Sequence, residues 1–310
     1  MKVLFAGTPA NAAEILKGIV AAGHDVVAVL TREDAPIGRK KIITPSAVAQ
    51  VADELGIRLI KANRITAEVS LEILQSKADL AIVVAYGIIL KQETLDLLPF
   101  GWFNLHFSIL PKWRGAAPVQ RSIEAGDTET GVTLFKIDVG LDTGPVVGRV
   151  LTPIGPDETA GELISRLTKL GLTMINAELP AIYADTASFE PQQGESSSAT
   201  KPSRADAKIS FSLSSKQIEG LVRAMNPEPM AWCLFRGEPL RVIRARASQL
   251  AQDDANSSMQ IGVICQLDGK VLVSCGSKSW LELLEVQPAS RSVMSAKAWA
   301  NGLNELGVLS

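Results

Sequence analysis

Four short, largely apolar runs separated by stretches of helical spacing dominate the first part of the chain and limit its fold more than any other feature. Residues 2–6, 25–30, 57–60 and 80–85 are of strand length, while 9–22, 46–55 and 67–75 read as helices. Strands that are apolar at successive positions are covered on both faces, as in parallel sheets with helices packed on either side. The expected architecture is therefore α/β, a doubly wound, mostly parallel, Rossmann-like sheet. Residues 103–106 add a strand end, 132–138 and 145–151 add further strands, and 159–183 forms a long amphipathic helix.

The texture then changes. Residues 187–207 are rich in Ser, Gln, Glu, Pro and Ala and read as a linker. Beyond it, one helix (215–224) and five strand candidates (231–235, 240–245, 262–267, 271–275 and 281–286) are separated by glycine-containing turns, the pattern of a small OB-like β-barrel. The expected division is 1–186 as a first domain, 187–207 as a linker and 208–310 as a second domain.

Composition excludes several classes. With 46% hydrophobic and 21% charged residues the chain is neither disordered nor fibrous. No window approaches the ~18 consecutive apolar residues of a membrane span. Lys2 followed by apolar residues imitates a signal peptide, but Gly7 and Pro9 interrupt the run too early for an h-region of ~7–15 residues. The formal charge of −2, from 31 basic and 33 acidic residues, means that a nucleic-acid partner has to be held by local patches. From Lys201 onward there are 13 basic and 10 acidic residues, a bias too small to decide anything. Cys233, Cys265 and Cys275 form no C-x-x-C pair. They read as reduced thiols of a cytoplasmic protein.

The first strand–helix turn, Gly7-Thr8-Pro9-Ala10-Asn11, lacks G-x-G-x-x-G. Proline stands where a dinucleotide's pyrophosphate needs a glycine, so a nicotinamide-type oxidoreductase loses its main support. The segment Asn104-Leu105-His106-Phe107-Ser108-Ile109-Leu110-Pro111 is more informative. Ligands of open α/β sheets bind beyond the carboxyl ends of strands, and residues two apart on a strand point to the same side. Asn104 and His106 thus present an amide and an imidazole to one spot. An alternative is a hydrogen-bonded histidine that merely terminates a strand. Asp142, between Gly140 and Gly144, lies in a loop that either approaches a ligand closely or is an ordinary Asx turn. His24, in a helix-to-strand turn, is expected to be solvent-exposed.

The run from Asn104 to Gln120, N-L-H-F-S-I-L-P-K-W-R-G-A-A-P-V-Q, together with D-V-G-L-D-T-G from Asp138 to Gly144, resembles the folate-dependent formyltransferases. F-A-G-T-P at Phe5–Pro9, V-A-Y-G at Val84–Gly87 and R-A-M-N-P-E-P-M-A-W at Arg223–Trp232 are similar to the branch that acts on initiator methionyl-tRNA. The resemblance runs from Lys2 to about Ala296. It implies Asn104, His106 and Asp142 as a catalytic trio, and Ser108, Ile109, Leu110 and Pro111 as the motif for 10-formyltetrahydrofolate, a formyl-donor cosubstrate. No metal is implied. The implied fold is a doubly wound catalytic domain with an OB-like C-terminal barrel that contacts tRNA, in agreement with the reading above. Departures are small: Phe107 replaces a frequent glycine, and Glu33 interrupts the start of a loop.

By the same resemblance, Arg32, Arg39, Lys40 and Lys41 form a basic insertion that approaches the tRNA acceptor stem; on residue type alone they would be a solvated loop. With Gly38 and Pro36 offering little to pack, this loop is expected to order on binding. Arg241, Arg244 and Arg246 are candidates for a second basic patch. A monomer without a membrane partner is expected. Two alternatives remain. One is a related enzyme acting on an amino-sugar nucleotide or glycinamide ribotide, disfavoured by the second domain and the basic loop. The other is a non-catalytic RNA-binding protein, which would have lost the trio.

Overall fold

The computed structural model describes residues 1–38, 40–248 and 260–310. The chain divides into two compact units that are interleaved in sequence. The first holds Met1–Pro118, Glu129–Pro153 and Ile164–Thr200; the second holds Val119–Thr128, Ile154–Leu163 and Lys201–Ser310. Residues 187–200, within the stretch expected as a linker, thus lie in the first unit.

The apolar runs of the first unit become β1 (Lys2–Gly7), β2 (Asp25–Thr31), β5 (Arg58–Lys61), β6 (Leu80–Val84) and β7 (Gly101–His106). Two further strands, β8 (Glu129–Lys136) and β9 (Val146–Pro153), complete a seven-stranded sheet of order β5-β2-β1-β6-β7-β8-β9. Pairing is parallel from β5 to β7 and antiparallel from β7 to β9. The chain leaves β1 toward one edge and returns at β6, so the switch point lies between β1 and β6. Val3, Leu4, Phe5 and Ala6 are wholly buried, as are Leu80, Ala81, Ile82 and Val84. Each fully buried large apolar side chain contributes roughly 1.5–3 kcal/mol. Gly7 has a packing reason: a Cβ there would stand 2.8 Å from both Ala12 Cβ and Val84 O.

Helices α1 (Ala10–Ala21), α2 (Ala47–Glu54) and α3 (Ala67–Gln75) lie where the apolar spacing puts them. Ser46 and Thr66 cap α2 and α3 by accepting from Ala49 N and Val69 N. The short α4 (Gln92–Leu95) and α5 (Pro118–Glu124) follow, and then the 24-residue α6 (Ala160–Tyr183). Between β2 and α2, an antiparallel hairpin was not anticipated: β3 (Ala35–Ile37) pairs with β4 (Ile42–Thr44). The segment expected to order only on binding therefore has strand pairing of its own, with Pro36 opposite Ile43.

In the second unit, Ser214 and Gln217 form a capping box at α7 (Ser215–Ala224). The strands are β10 (Trp232–Phe235), β11 (Glu238–Ala247), β12 (Ile264–Leu267), β13 (Lys270–Cys275), β14 (Ser279–Pro288) and β15 (Met294–Ser295), followed by α8 (Ala296–Asn301). They form an antiparallel sheet of order β10-β11-β14-β13-β12, with β15 on β14. The expected barrel is not closed. Among the described residues β10 and β12 do not pair with each other; the chain end meets both, bridging Phe235 of β10 through Leu309 and accepting at Gly307 O from Ile264 N of β12. Local turn and strand signals cannot distinguish a closed sheet from an open one, because closure depends on shear and on how the edges meet.

Candidate active site

His106 is the last residue of β7 and only 5% exposed, whereas Asn104 is half-buried two residues earlier. Among the described residues no hydrogen bond engages the Asn104 carboxamide. The imidazole Nε2 lies 2.8 Å from the carbonyl oxygen of Trp113. A carbonyl only accepts, so Nε2 carries the proton and Nδ1 is the open nitrogen of the neutral ring. Nδ1 faces Asp142 Oδ2 at 3.7 Å, beyond hydrogen-bond length. Burial pushes the His106 pKa below its usual value, against the opposing effects of the Asp142 charge and of the bond to Trp113 O. The resting ring is thus neutral near pH 7. It gains stabilisation from Asp142 once it takes a proton.

Asp142 reaches His106 because its loop folds back. β8 ends opposite the start of β7, with Lys136 paired to Phe103, whereas Asp142 stands beside the last residue of β7. Asp138 Oδ1 organises the loop by accepting from Gly140 N (3.0 Å) and Thr143 Oγ1 (2.6 Å). The Asx turn suggested by the sequence therefore exists, but its carboxylate is Asp138. Gly144 presses on the strand backbone, where a Cβ would meet Lys136 O. Asp142 itself is left-handed at φ 53°, and its Oδ2 accepts from Gly115 N at 2.7 Å.

The Ser108–Pro111 segment is pinned from beneath. Thr133 on β8, wholly buried, donates to Ser108 O (2.7 Å) and accepts from Leu110 N (3.2 Å). Ser108 Oγ donates to Lys112 O at 2.6 Å. Ser108, Leu110 and Pro111 are buried and Ile109 is half-buried. Their side chains therefore hold the loop, and of the four only Ile109 stays partly accessible.

Three residues that sequence reasoning passed over complete the site. Ser197 Oγ accepts from Trp113 N, and Ser197 O accepts from Arg114 N. Gln192 bonds both Arg114 and the Asp142 loop. Thr133 is the third. Nothing local marks them, since Gln192 and Ser197 sit in a polar stretch and Thr133 in an ordinary strand.

Other candidates fare differently. Arg32 Nη1 donates to Gly87 O at 3.1 Å, which ties its guanidinium to the loop after β6 through one of its five N–H donors. Lys40 and Lys41 are exposed at the tip of the β3–β4 hairpin, while Arg39 lies outside the described residues. Arg244 and Arg246 are not an open basic patch: they pair with Glu162 and Asp157, and Arg241 bonds Gln287 Oε1. Glu162 is correspondingly held down to about 2, first by the backbone bond from Thr159 and then by Arg244. His24 is half-buried, edge-on to Tyr183, with burial lowering its pKa. Among the described residues no group of three His, Cys, Asp or Glu side chains could hold a metal, and no helix is long and apolar enough to cross a membrane. The three cysteines are free; burial raises Cys233 and Cys275 to about 12.

Residues 1–179 match the family model for formyl transferase, and residues 201–304 match that for the formyl transferase C-terminal domain. The chain belongs to the formyl transferase family. A relative from Arthrobacter sp. (strain FB24) named methionyl-tRNA formyltransferase is 45% identical over 97% of this chain and 97% of its own length. One of the same name from Leifsonia xyli subsp. xyli is 42% identical over 100% of both chains. Among solved structures, an N-formyltransferase from Helicobacter canadensis, in complex with folinic acid and dTDP-3-aminofucose, superposes with a TM-score of 0.66. It is 23% identical and covers 93% of this chain and 99% of its own, which shows a shared formyl transferase fold.

Proposed function

We infer that this formyl transferase moves the formyl group of 10-formyltetrahydrofolate to the α-amino group of methionine on initiator methionyl-tRNA, giving formylmethionyl-tRNA for translation initiation. The observation that carries this reading is the end-to-end match to relatives named methionyl-tRNA formyltransferase. The folate supplies an activated formyl carbon on nitrogen; the chain supplies donors, a base and positioning.

Chemically, a bond forms between the α-nitrogen and the formyl carbon, the bond from that carbon to N10 breaks, and one proton passes from the α-nitrogen to N10. Asn104, with its amide unengaged, donates to the formyl oxygen as negative charge builds there; one such donor is worth roughly 10²–10³ in rate. His106 takes the α-amino proton at Nδ1 and returns it to N10, help worth about 10²–10⁴. Asp142 stabilises the imidazolium in between. The rigid 108–111 backbone, pinned by Thr133, supports the folate.

We assign the chemistry to the first unit, whose 187–200 stretch supports the site through Gln192 and Ser197, and tRNA contact to the hairpin and to an OB-like face within 208–310. For tRNA, Lys40 and Lys41 with Arg39 are the phosphate-binding group; Arg32 acts through the loop it braces. One chain holds both units, so a monomer suffices, and three free thiols suit a cytoplasmic enzyme. The second unit does not exclude a sugar-nucleotide acceptor, because the Helicobacter canadensis fold spans it too. The distinguishing test is acceptor choice. Purified protein with 10-formyltetrahydrofolate should formylate methionyl initiator tRNA and leave amino-sugar nucleotides and glycinamide ribotide untouched; the reverse preference would overturn the assignment.

A further inference from the structure

We propose that Gln192 is a positioning residue for Asp142: its side-chain amide ties the backbone of the Asp142 loop to Arg114 and so sets how close the carboxylate stands to His106. The proposal rests on the reading of the site given above. Gln192 Nε2 donates to Asp142 O at 2.8 Å and to Gly144 O at 2.9 Å. Its Oε1 accepts from Arg114 Nε at 3.2 Å and Nη2 at 2.6 Å. Both amide hydrogens and both acceptor directions are therefore used. The orientation of the amide is fixed by its partners: reversed, it would set an oxygen against two carbonyls and an NH₂ against a guanidinium.

These bonds close a ring. Gly115 N holds the Asp142 carboxylate, Arg114 precedes Gly115, and Gln192 links Arg114 back to the Asp142 backbone. The ring is anchored in turn, since Arg114 N donates to Ser197 O (2.8 Å) and Arg114 O accepts from Ala199 N (2.7 Å). Asp142 is left-handed at φ 53°, a conformation open to aspartate but not enforced by it, so the backbone bonds to Gln192 help to select it. Without Gln192, those backbone bonds disappear while the Gly115 bond remains. Asp142 is the charged group acting on His106 among the described residues, alongside the Trp113 carbonyl. A change in its position is thus readable at the histidine.

The test compares wild type, Gln192→Met, Asp142→Asn and the double variant by two measurements. One is the NMR titration of the imidazoles, readily assigned with two histidines in the chain; the other is single-turnover formylation of methionyl initiator tRNA. In Gln192→Met the His106 midpoint should fall by about half a pH unit or more, toward that of Asp142→Asn. The formylation rate should fall about tenfold or more, with both substrate KM values within about twofold. Neither effect should grow when Gln192→Met is added to Asp142→Asn. An unmoved His106 midpoint, or rate losses that multiply in the double variant, would overturn the proposal. Should Gln192→Met fail to fold, Gln192→Glu serves for the rate. It keeps the acceptor for Arg114 but turns an oxygen toward the two carbonyls, so a wild-type rate there overturns the proposal equally. The titration needs no substrate. Coupling in the titration without formylation would count against the function and for the positioning; formylation without coupling would do the opposite.

Discussion

Two loops at opposite extremes of constraint carry the proposed function. The Asp138–Gly144 loop is braced by its own Asp138, by Gly115 and by Gln192, and it holds a residue in left-handed backbone beside a buried histidine. Among the described residues the β3–β4 hairpin is held by three paired positions and local bonds such as Lys41 N to Gly38 O, with an exposed Lys40–Lys41 tip and Ile42 and Ile43 more than 60% exposed. The difference follows from what each has to recognise. A reacting carbonyl needs donors and charges in place before the reaction, because reorganising them costs rate. Phosphates reward charge at the surface and tolerate loose geometry. The braced loop should therefore govern the chemical step, and the hairpin affinity and salt dependence.

The sharpest way to break that contrast is His106→Ala, for which single-turnover formylation at saturating substrate should fall roughly 10²–10⁴-fold. The fold should survive, with thermal unfolding lowered by the cavity and by the lost bond to Trp113 O. A variant within a fewfold of wild type would remove His106 from the mechanism. Asn104→Ala should cost about 10²–10³ in the same assay, the worth of one preorganised donor. If instead the folate KM rose while turnover held, Asn104 would be a ground-state contact only.

Asp142→Asn should reduce turnover about tenfold or more while shifting thermal unfolding little, since the amide can keep the bond to Gly115 N. It also sharpens the pH dependence. With neutral His106 as the proposed base, wild-type turnover should fall with acidification through a midpoint below about 6.5. Losing the Asp142 charge should move that midpoint lower still; an upward move contradicts the Coulombic role. Because burial lowers both His24 and His106, the stability that they contribute is complete above about 6.5 and is lost as pH falls toward their folded-state values. Thermal unfolding followed from neutral to mildly acid pH checks the sign.

The smallest effect belongs to the hairpin. Neutralising Lys40 and Lys41 to Gln should reduce the log–log salt slope of tRNA binding by roughly 0.7–0.9 for each phosphate that is no longer neutralised. Folate affinity and the saturated chemical rate should stay unchanged. Equal slopes for variant and wild type would leave the hairpin as solvated surface and move tRNA binding to the second unit.

Much of this molecule was readable from its sequence, and what was not has a common cause. Apolar runs at 2–6 and 80–85 became the parallel strands β1 and β6, the second ending at Val84, and Ser46 and Thr66 became helix caps, because apolar patterning and capping are written in residues a few positions apart. Period-two geometry likewise put Asn104 and His106 on one side of β7. Tertiary structure alone decided that Asp142 meets His106, since its loop folds back across the strand instead of following β8 outward. It decided that Arg244 and Arg246 face acids, that Arg32 bonds Gly87, and that β10 and β12 meet the chain end rather than each other among the described residues. Gln192 is the clearest case. In a Ser- and Gln-rich stretch a solvated amide and one that holds an active-site loop 50 residues away have the same sequence signature, because such bonds are selected by long-range packing rather than by local backbone preference.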